Sequence, residues 1–257
     1  MPIVTVVAVA VAIVLSFIES GALGGTPISE AAGGALSADA TPFAPAGPAF
    51  SIWSIVYLGL IVYAVYQVLP RQRGSARQAA LRPWAAASAL LNAGWILTVQ
   101  AGSVLASVAV IVVLLVVLLR ILIILKTTRP TSWVDTLVVD GTFGLYLGWV
   151  CVATTANIAA WVATTGLDTF PGWQWAAVGI LVVVLFIGSA LALHSEGRIA
   201  PALAIAWGLS WIAVARTSGE FASPMVVWSA AIAAALVLVG TVLVRLLNGQ
   251  SQNSSDR

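Results

Sequence analysis

The sequence predicts an all-α fold, a polytopic membrane helix bundle with about eight transmembrane helices. Hydrophobic residues fill 61% of the 257 positions and charged residues only 8%, and the mean hydropathy is +1.05. A soluble domain carries roughly 25% charged residues, which keep its surface hydrated. Apolar segments close to the ~20 residues needed to cross a bilayer also recur along the chain between short polar breaks.

The breaks between the apolar segments define the order of the predicted helices. The pair Gly102-Ser103 is so short that the third and fourth helices should form a tight hairpin. The first segment could be a signal peptide, but no basic residue precedes it, so we expect it to be retained. The predicted spans are 3–18, 50–69, 83–101, 103–125, 136–162, 174–193, 199–215 and 224–247.

The positions of the basic residues predict the orientation. Lysine and arginine in short loops favour the cytoplasmic side. With the N-terminus inside, ten of the eleven basic residues lie on or near the inner side, and only Arg216 lies outside. We therefore predict a plasma (inner) membrane protein with both termini inside and the loop 19–49 outside. The net charge of +2 rests on few residues and predicts no nucleic-acid partner.

Aromatic and amide side chains recur at helical spacing on three of the predicted spans. Interhelical packing explains any one of these residues, and a buried amide must face protein or ligand rather than lipid. In the predicted topology, however, the three stripes meet in the outer half of the membrane, which predicts a pocket for a flat ligand. The candidate residues are Phe50, Trp53 and Tyr57 on span two, Asn92 and Trp95 on span three, and Tyr146, Trp149, Ala153 and Asn157 on span five.

These motifs resemble a known family. The run from Leu145 to Trp161 is similar to the fifth helix of the TspO/MBR (tryptophan-rich sensory protein/translocator protein) family, with Tyr146, Trp149, Ala153 and Asn157 in register. The Asn92-Ala-Gly-Trp95 run is similar to its third helix, and residues 45–57 resemble its proline-rich entry to the second helix. The resemblance covers about the first 165 residues. Two departures are Phe43 and Pro45-Ala46, where the family usually has a tryptophan and two adjacent prolines.

The resemblance implies a fold, a pocket and a ligand class. It implies a five-helix ligand-binding core at 1–166, followed by three additional transmembrane helices at 167–248 and a polar cytoplasmic tail at 249–257. The implied ligand is a tetrapyrrole such as protoporphyrin, bound beneath the first loop, and the residues at the family's pocket positions are Trp53, Asn92, Trp149, Ala153 and Asn157. Because the sterol-type motif after helix five is missing, sterol is disfavoured. No obligatory cofactor is implied, and the expected partners are the lipid bilayer and this hydrophobic small molecule.

Few residues in the sequence suggest catalysis, which favours a protein that is not an enzyme. His194 is the only histidine and Cys151 the only cysteine, so we predict no metal site. Asp140 is the one acid inside a span; it could be hydrated, pair with Arg120 or Arg82, or serve a proton or ion step. The main hypothesis is a sensory receptor or carrier. A small-molecule or ion-coupled transporter and a porphyrin-degrading membrane enzyme are alternatives, and homodimer formation stays open.

Overall fold

The computed structural model describes residues 1–19, 26–28, 30–166 and 170–255, and within them the fold is all-α. The predicted fold class is thus confirmed. Short one-turn helices at Ala31–Gly34 and Pro70–Arg73 lie in the connections. The long helices are α1 (Pro2–Glu19), α2 (Gly47–Tyr66), α3 (Ala76–Gln100), α4 (Val104–Thr127), α5 (Trp133–Ala163), α6 (Trp173–His194), α7 (Ile199–Ala215) and α8 (Pro224–Ser255).

The helices differ in how well they suit a bilayer. Within the described ranges, five of them are long and apolar enough to cross a membrane: α2, α4, α5, α6 and the Pro224–Gln250 part of α8. Helices α1 and α7 are shorter but apolar. Helix α3 begins at residue 76, earlier than the predicted 83. The Ser75 hydroxyl accepts a hydrogen bond from the Gln78 amide and so caps the helix start, and Pro83 lies inside the helix. Its first turns carry Arg77 and Arg82, which make it less apolar.

The first five helices form a closed ring. Helix α2 packs between α1 and α5, α3 packs between α1 and α4, and α4 packs on α5. The remaining three helices lie outside this ring, where α7 packs on α5 and on α8, and α8 packs on α6. Helix α5 therefore contacts both groups of helices.

Glycines bring α5 and α7 into close contact. A Cβ atom on Gly148 would overlap the Pro201 carbonyl, and one on Gly144 would lie 2.7 Å from the Ala200 Cβ. From the other side, a Cβ on Gly208 would lie 2.8 Å from a Val152 methyl group. Small residues allow membrane helices to approach until their backbones touch, so the added helices are packed tightly against the ring.

One end of the bundle, which we call the basic end, holds an ion-pair network at the start of α5. Arg77 of α3 contacts the carboxylates of Asp135 at 2.5 Å and Asp140 at 2.6 Å. Arg198, before α7, also contacts Asp140 and donates to the Leu125 carbonyl at the end of α4 at 2.7 Å. Asp140 lies in a π-helical stretch, Thr136–Gly141. The network joins α3, α4, α5 and α7.

The partners predicted for Asp140 were wrong. Arg82 donates instead to the Gln67 side chain at 2.9 Å, and Arg120 lies over the Trp84 ring at 5.8 Å. Arg77 precedes the predicted span 83–101, but the observed α3 begins earlier and carries it to the start of α5.

Candidate functional site

The three predicted stripes converge on Trp53, at the opposite end of the bundle from the ion pairs. We call this the loop end, because residues from the connection between α1 and α2 line the cavity there. The Trp53 ring is stacked on Tyr57 at 5.4 Å and lies 6.1 Å from Trp95. It meets Tyr146 edge-on at 5.8 Å and Trp149 at 6.3 Å. Phe50 lies edge-on to Trp149 at 5.9 Å.

All the candidate residues belong to this cluster, in two layers. The upper layer lines a cavity and consists of Phe50, Trp53, Trp95, Trp149, Ala153 and Asn157. The lower layer joins helices beneath it: Asn92 donates to the Tyr57 hydroxyl at 2.9 Å, and the Tyr146 hydroxyl donates to the Ser88 carbonyl at 3.1 Å. The lower layer supports the rings above it.

Asn157 connects three helices through its side-chain oxygen. The Trp95 indole N–H donates to Asn157 Oδ1 at 3.0 Å, and the Ser107 hydroxyl donates to the same atom at 3.1 Å. Because an indole N–H can only donate, it fixes which end of the amide faces it. Asn157 is therefore interhelical glue through its oxygen, while its nitrogen points elsewhere.

Three buried donors around the cavity have no hydrogen-bond partner among the described residues. They are Trp53 Nε1, Trp149 Nε1 and Asn157 Nδ2. Each residue is at most 5% exposed. Leaving such a buried group unpaired costs ~1–3 kcal/mol, so the cluster carries polar groups that its own packing does not use.

The cavity itself is small because the loop covers it. Its volume is about 30 Å³, whereas pockets for drug-sized ligands are roughly 300–1,000 Å³. Residues of the segment 35–45, which we call the roof segment, complete its lining: Ala35, Leu36, Thr41, Ala44 and Pro45. In this conformation the site is closed, and a ring ligand could enter only after the roof segment moves.

Comparison with known proteins assigns the chain to a family. A family model described as TSPO-like protein matches residues 2–243. The chain belongs to the TSPO-like family. The match extends into α8, well beyond the first 165 residues that carried the sequence resemblance. Among curated proteins and among solved structures, no match was found.

In this TSPO-like chain, α7 anchors the roof segment. Arg216, at the end of α7, donates to the carbonyls of Thr41 at 2.9 Å and Ala38 at 2.6 Å. Burial lowers the pKa of the Arg216 guanidinium, and the nearby Asp39 carboxylate opposes that shift. The side chain is 1% exposed. Helix α7, one of the three added helices, therefore holds the roof segment over the cavity lined by Trp53, Trp149 and Asn157, which we call the ring cavity.

Two tryptophans of α7 anchor the chain just after the roof. Trp207 Nε1 donates to the Ala49 carbonyl at 3.0 Å, and the Ala46 amide donates to the Trp211 carbonyl at 3.1 Å. The sequence pattern predicts neither the tryptophans nor Arg216 as part of the site. The available signals were a lone base on the loop side and two tryptophans too deep for an interfacial belt.

A larger cavity of the TSPO-like chain lies beside the closed one, between the loop-end halves of α5 and α6. We call it the α5–α6 cleft; its volume is about 430 Å³. Thr41 lines both cavities. The cleft is otherwise lined by Pro42, Phe43, Thr155, Ile158, Ala159, Val162, Ala163, Phe170, Trp173, Ala176, Ala177, Gly179, Ile180 and Val183.

Metal-ligating side chains do not cluster in the described part of the chain. No group of three or more histidine, cysteine, aspartate or glutamate residues is close enough there to hold a metal ion. His194 is exposed at the end of α6, and Cys151 is buried within α5. The chemistry that the candidate site offers is therefore aromatic contact and N–H donation.

Proposed function

We propose that this TSPO-like membrane protein is a receptor or carrier that binds a flat hydrophobic ligand, of the tetrapyrrole class, in the aromatic cavity of its five-helix ring. The observation that carries the proposal is the set of three buried, unpaired donors around one cavity, Trp53 Nε1, Trp149 Nε1 and Asn157 Nδ2. A ligand with acceptor atoms at its edge would pair them. Packing alone gives no reason to bury them together.

The residues suit a flat ring with polar substituents. Ala153 leaves space between Trp149 and Asn157, so a ring lying across it would contact the indole face and reach the amide nitrogen. Each aromatic contact contributes ~0.5–1.5 kcal/mol beyond area burial, and each hydrogen bond made in place of water nets ~0.5–1.5 kcal/mol. These groups are sufficient to hold a metal-free porphyrin through its ring and its carboxylate or carbonyl substituents.

The orientation is part of the proposal. We infer that the basic end faces the cytoplasm of a plasma (inner) membrane and that the roof faces outward, because basic short loops stay inside. On a Cys151→Ala background, single cysteines at Ser37 and Ser75 are treated with an impermeant thiol reagent on whole cells. We expect labelling at Ser37 only; labelling at Ser75 alone would reverse the orientation.

The binding site is tested by filling the space above Ala153. Protoporphyrin IX is titrated into protein in phosphatidylcholine nanodiscs, and quenching of tryptophan fluorescence is followed. Ala153→Phe should weaken binding by more than ~10-fold, about 1.4 kcal/mol, because the new ring occupies the ligand's place. The control is Leu90→Phe, at a half-exposed position on α3, and it should bind as wild type does.

Two outcomes would count against this function. If folded Ala153→Phe binds protoporphyrin as tightly as wild type, the ring cavity is not the site. If the porphyrin extracted afterwards is chemically altered in the wild type and unaltered in Ala153→Phe, the protein is an enzyme rather than a receptor or carrier.

A further inference from the structure

The α5–α6 cleft lies between two stripes of small residues that do not close on each other. Helix α5 contributes Ala159 and Ala163, and helix α6 contributes Ala176 and Gly179. Such stripes usually let membrane helices pack closely. On the same α5, the Gly144 and Gly148 stripe does pack closely, against α7. In the cleft the corresponding space stays open.

Aromatic side chains line the loop end of the cleft, and several of its lining residues are exposed. Phe43 forms the side next to the ring cavity and is 1% exposed, while Phe170, where the cleft opens, is 43% exposed. Trp173 is held by an edge-on contact with Phe221 at 5.5 Å. Val183, in the middle of the apolar α6, also lines the cleft and is 51% exposed, so the cleft also opens along the outer face of this helix. A molecule dissolved in the bilayer could therefore reach the cleft without passing through water.

We propose that the α5–α6 cleft is a second, membrane-open site for a flat, lipid-soluble ring molecule, which rests there before it displaces Thr41–Phe43 and enters the ring cavity. For its ligand class the inference rests on the proposed function. The volume of about 430 Å³ lies within the range of ligand pockets, whereas the ring cavity of about 30 Å³ is closed. Thr41 lines both spaces, so one short segment separates them.

A ring fits this cleft better than a lipid tail. Small residues on both walls leave a gap between aliphatic side chains, with aromatic residues at the loop end. Contacts between those aromatic residues and a ring add free energy that a saturated chain does not gain. Among the residues that the structure describes, none of those lining the cleft is charged, so these walls suit the apolar face of the ligand. The donors that lack a partner among the described residues line the ring cavity. A ligand with acceptor atoms should therefore bind more tightly there than in the cleft.

The test narrows the cleft from both walls with Ala159→Leu/Gly179→Leu. A Cβ on Gly179 would have no heavy atom within 4 Å, and leucine favours a helix more than glycine does, so the variant should fold. The matched control is Ala235→Leu/Gly240→Leu on α8, where a Cβ on Gly240 also meets nothing within 4 Å. Protoporphyrin IX is mixed with each protein in phosphatidylcholine nanodiscs, and tryptophan quenching is followed by stopped flow.

We expect the wild type and the control to show two quenching phases and two bound porphyrins per chain. The narrowed cleft should lose the faster phase and one porphyrin, with entry to the ring cavity slowed about tenfold. Unchanged phases in the narrowed variant would overturn the cleft site. So would loss of only co-purified phospholipid, measured by mass spectrometry, because the occupant would then be an acyl chain.

The same measurement on Ala153→Phe separates this inference from the proposed function. If Ala153→Phe loses the slower phase and keeps the faster one, both sites stand. If it changes nothing while the narrowed cleft abolishes binding, the ring-cavity function fails and the cleft is the binding site.

Discussion

The polar side chains at the two ends of α5 differ in whether they are paired. At the basic end, the carboxylates of Asp135 and Asp140 meet the guanidinium groups of Arg77 and Arg198. Although Arg77 Nε lacks a partner there, the charges are paired. At the loop end, Trp149 Nε1 and Asn157 Nδ2 have no hydrogen-bond partner within the described part of the chain, and both residues line one cavity.

This difference indicates that one end of α5 contributes mainly to stability and the other mainly to ligand binding. A buried ion pair is costly to break because the remaining charge is left uncompensated. An unpaired buried donor costs free energy in the empty protein and returns it when an acceptor arrives. Substitutions at the basic end should therefore change stability, and substitutions at the loop end should change ligand binding.

The largest effect is expected for Asp140→Asn. It removes the charge that pairs Arg198 with α5 and weakens the hold on Arg77, so the free energy of unfolding should fall by ~3–5 kcal/mol. Thermal unfolding in detergent measures it. Protoporphyrin affinity of the remaining folded protein should be unchanged.

The control for this substitution is Glu196→Gln. Glu196 is 57% exposed and lies 3.8 Å from Lys126, and such surface pairs contribute only ~0–1 kcal/mol. Equal destabilisation by the two substitutions would mean that the buried network is no more important than a surface pair.

A smaller effect is expected for Arg216→Gln, at the loop end. The substitution removes the charge from the group that donates two hydrogen bonds to the roof segment. Because glutamine keeps a neutral amide donor, the free energy of unfolding should fall by only ~1–3 kcal/mol. Opening should become easier, so protoporphyrin association should accelerate by roughly 10-fold or more while thermal stability falls less than in Asp140→Asn. Stopped-flow quenching measures the rate.

The control for the roof is Thr217→Ala, next in the chain. Thr217 lies in the turn after α7, and its exposed hydroxyl donates to the Val214 carbonyl of the last turn of that helix, so its removal should not alter association. If Arg216→Gln also leaves the rate unchanged, movement of the roof does not limit entry.

Much of the fold and of the candidate site followed from local pattern. Spacings of three and four on α2, α3 and α5 predict which side chains share a face, and alternation of the spans sets their depth. Together these were enough to bring Trp53, Trp95 and Trp149 into one cluster. The apolar composition likewise predicted the membrane helices.

The parts that could not be predicted depend on contacts between distant segments. Arg77 reaches Asp140 only because α3 starts earlier than its apolar stretch, which hydropathy does not reveal. The contacts of Arg216, Trp207 and Trp211 with the connection between α1 and α2 involve backbone carbonyls and amides on that side. Every residue has these groups, so the side chains of the connection do not reveal the contacts. The division of the chain at residue 166 stays a prediction, and a chain ending there would lack the Arg216 anchor.

The smallest and most specific effect compares two tryptophans of the same cluster. The Trp95 N–H is paired with Asn157 Oδ1, and the Trp149 N–H is unpaired. Trp95→Phe should therefore lower the free energy of unfolding by ~1–3 kcal/mol, because it leaves part of the Asn157 oxygen unsatisfied. Trp149→Phe removes an unpaired donor, so it should cost less stability than Trp95→Phe while weakening protoporphyrin binding by ~0.5–1.5 kcal/mol, about 2- to 10-fold. Both variants lose the same ring area, so each serves as the control for the other in thermal unfolding and in porphyrin titration. If Trp149→Phe proves the more destabilising and binds as wild type does, its N–H has a structural role and the loop end is not a ligand site.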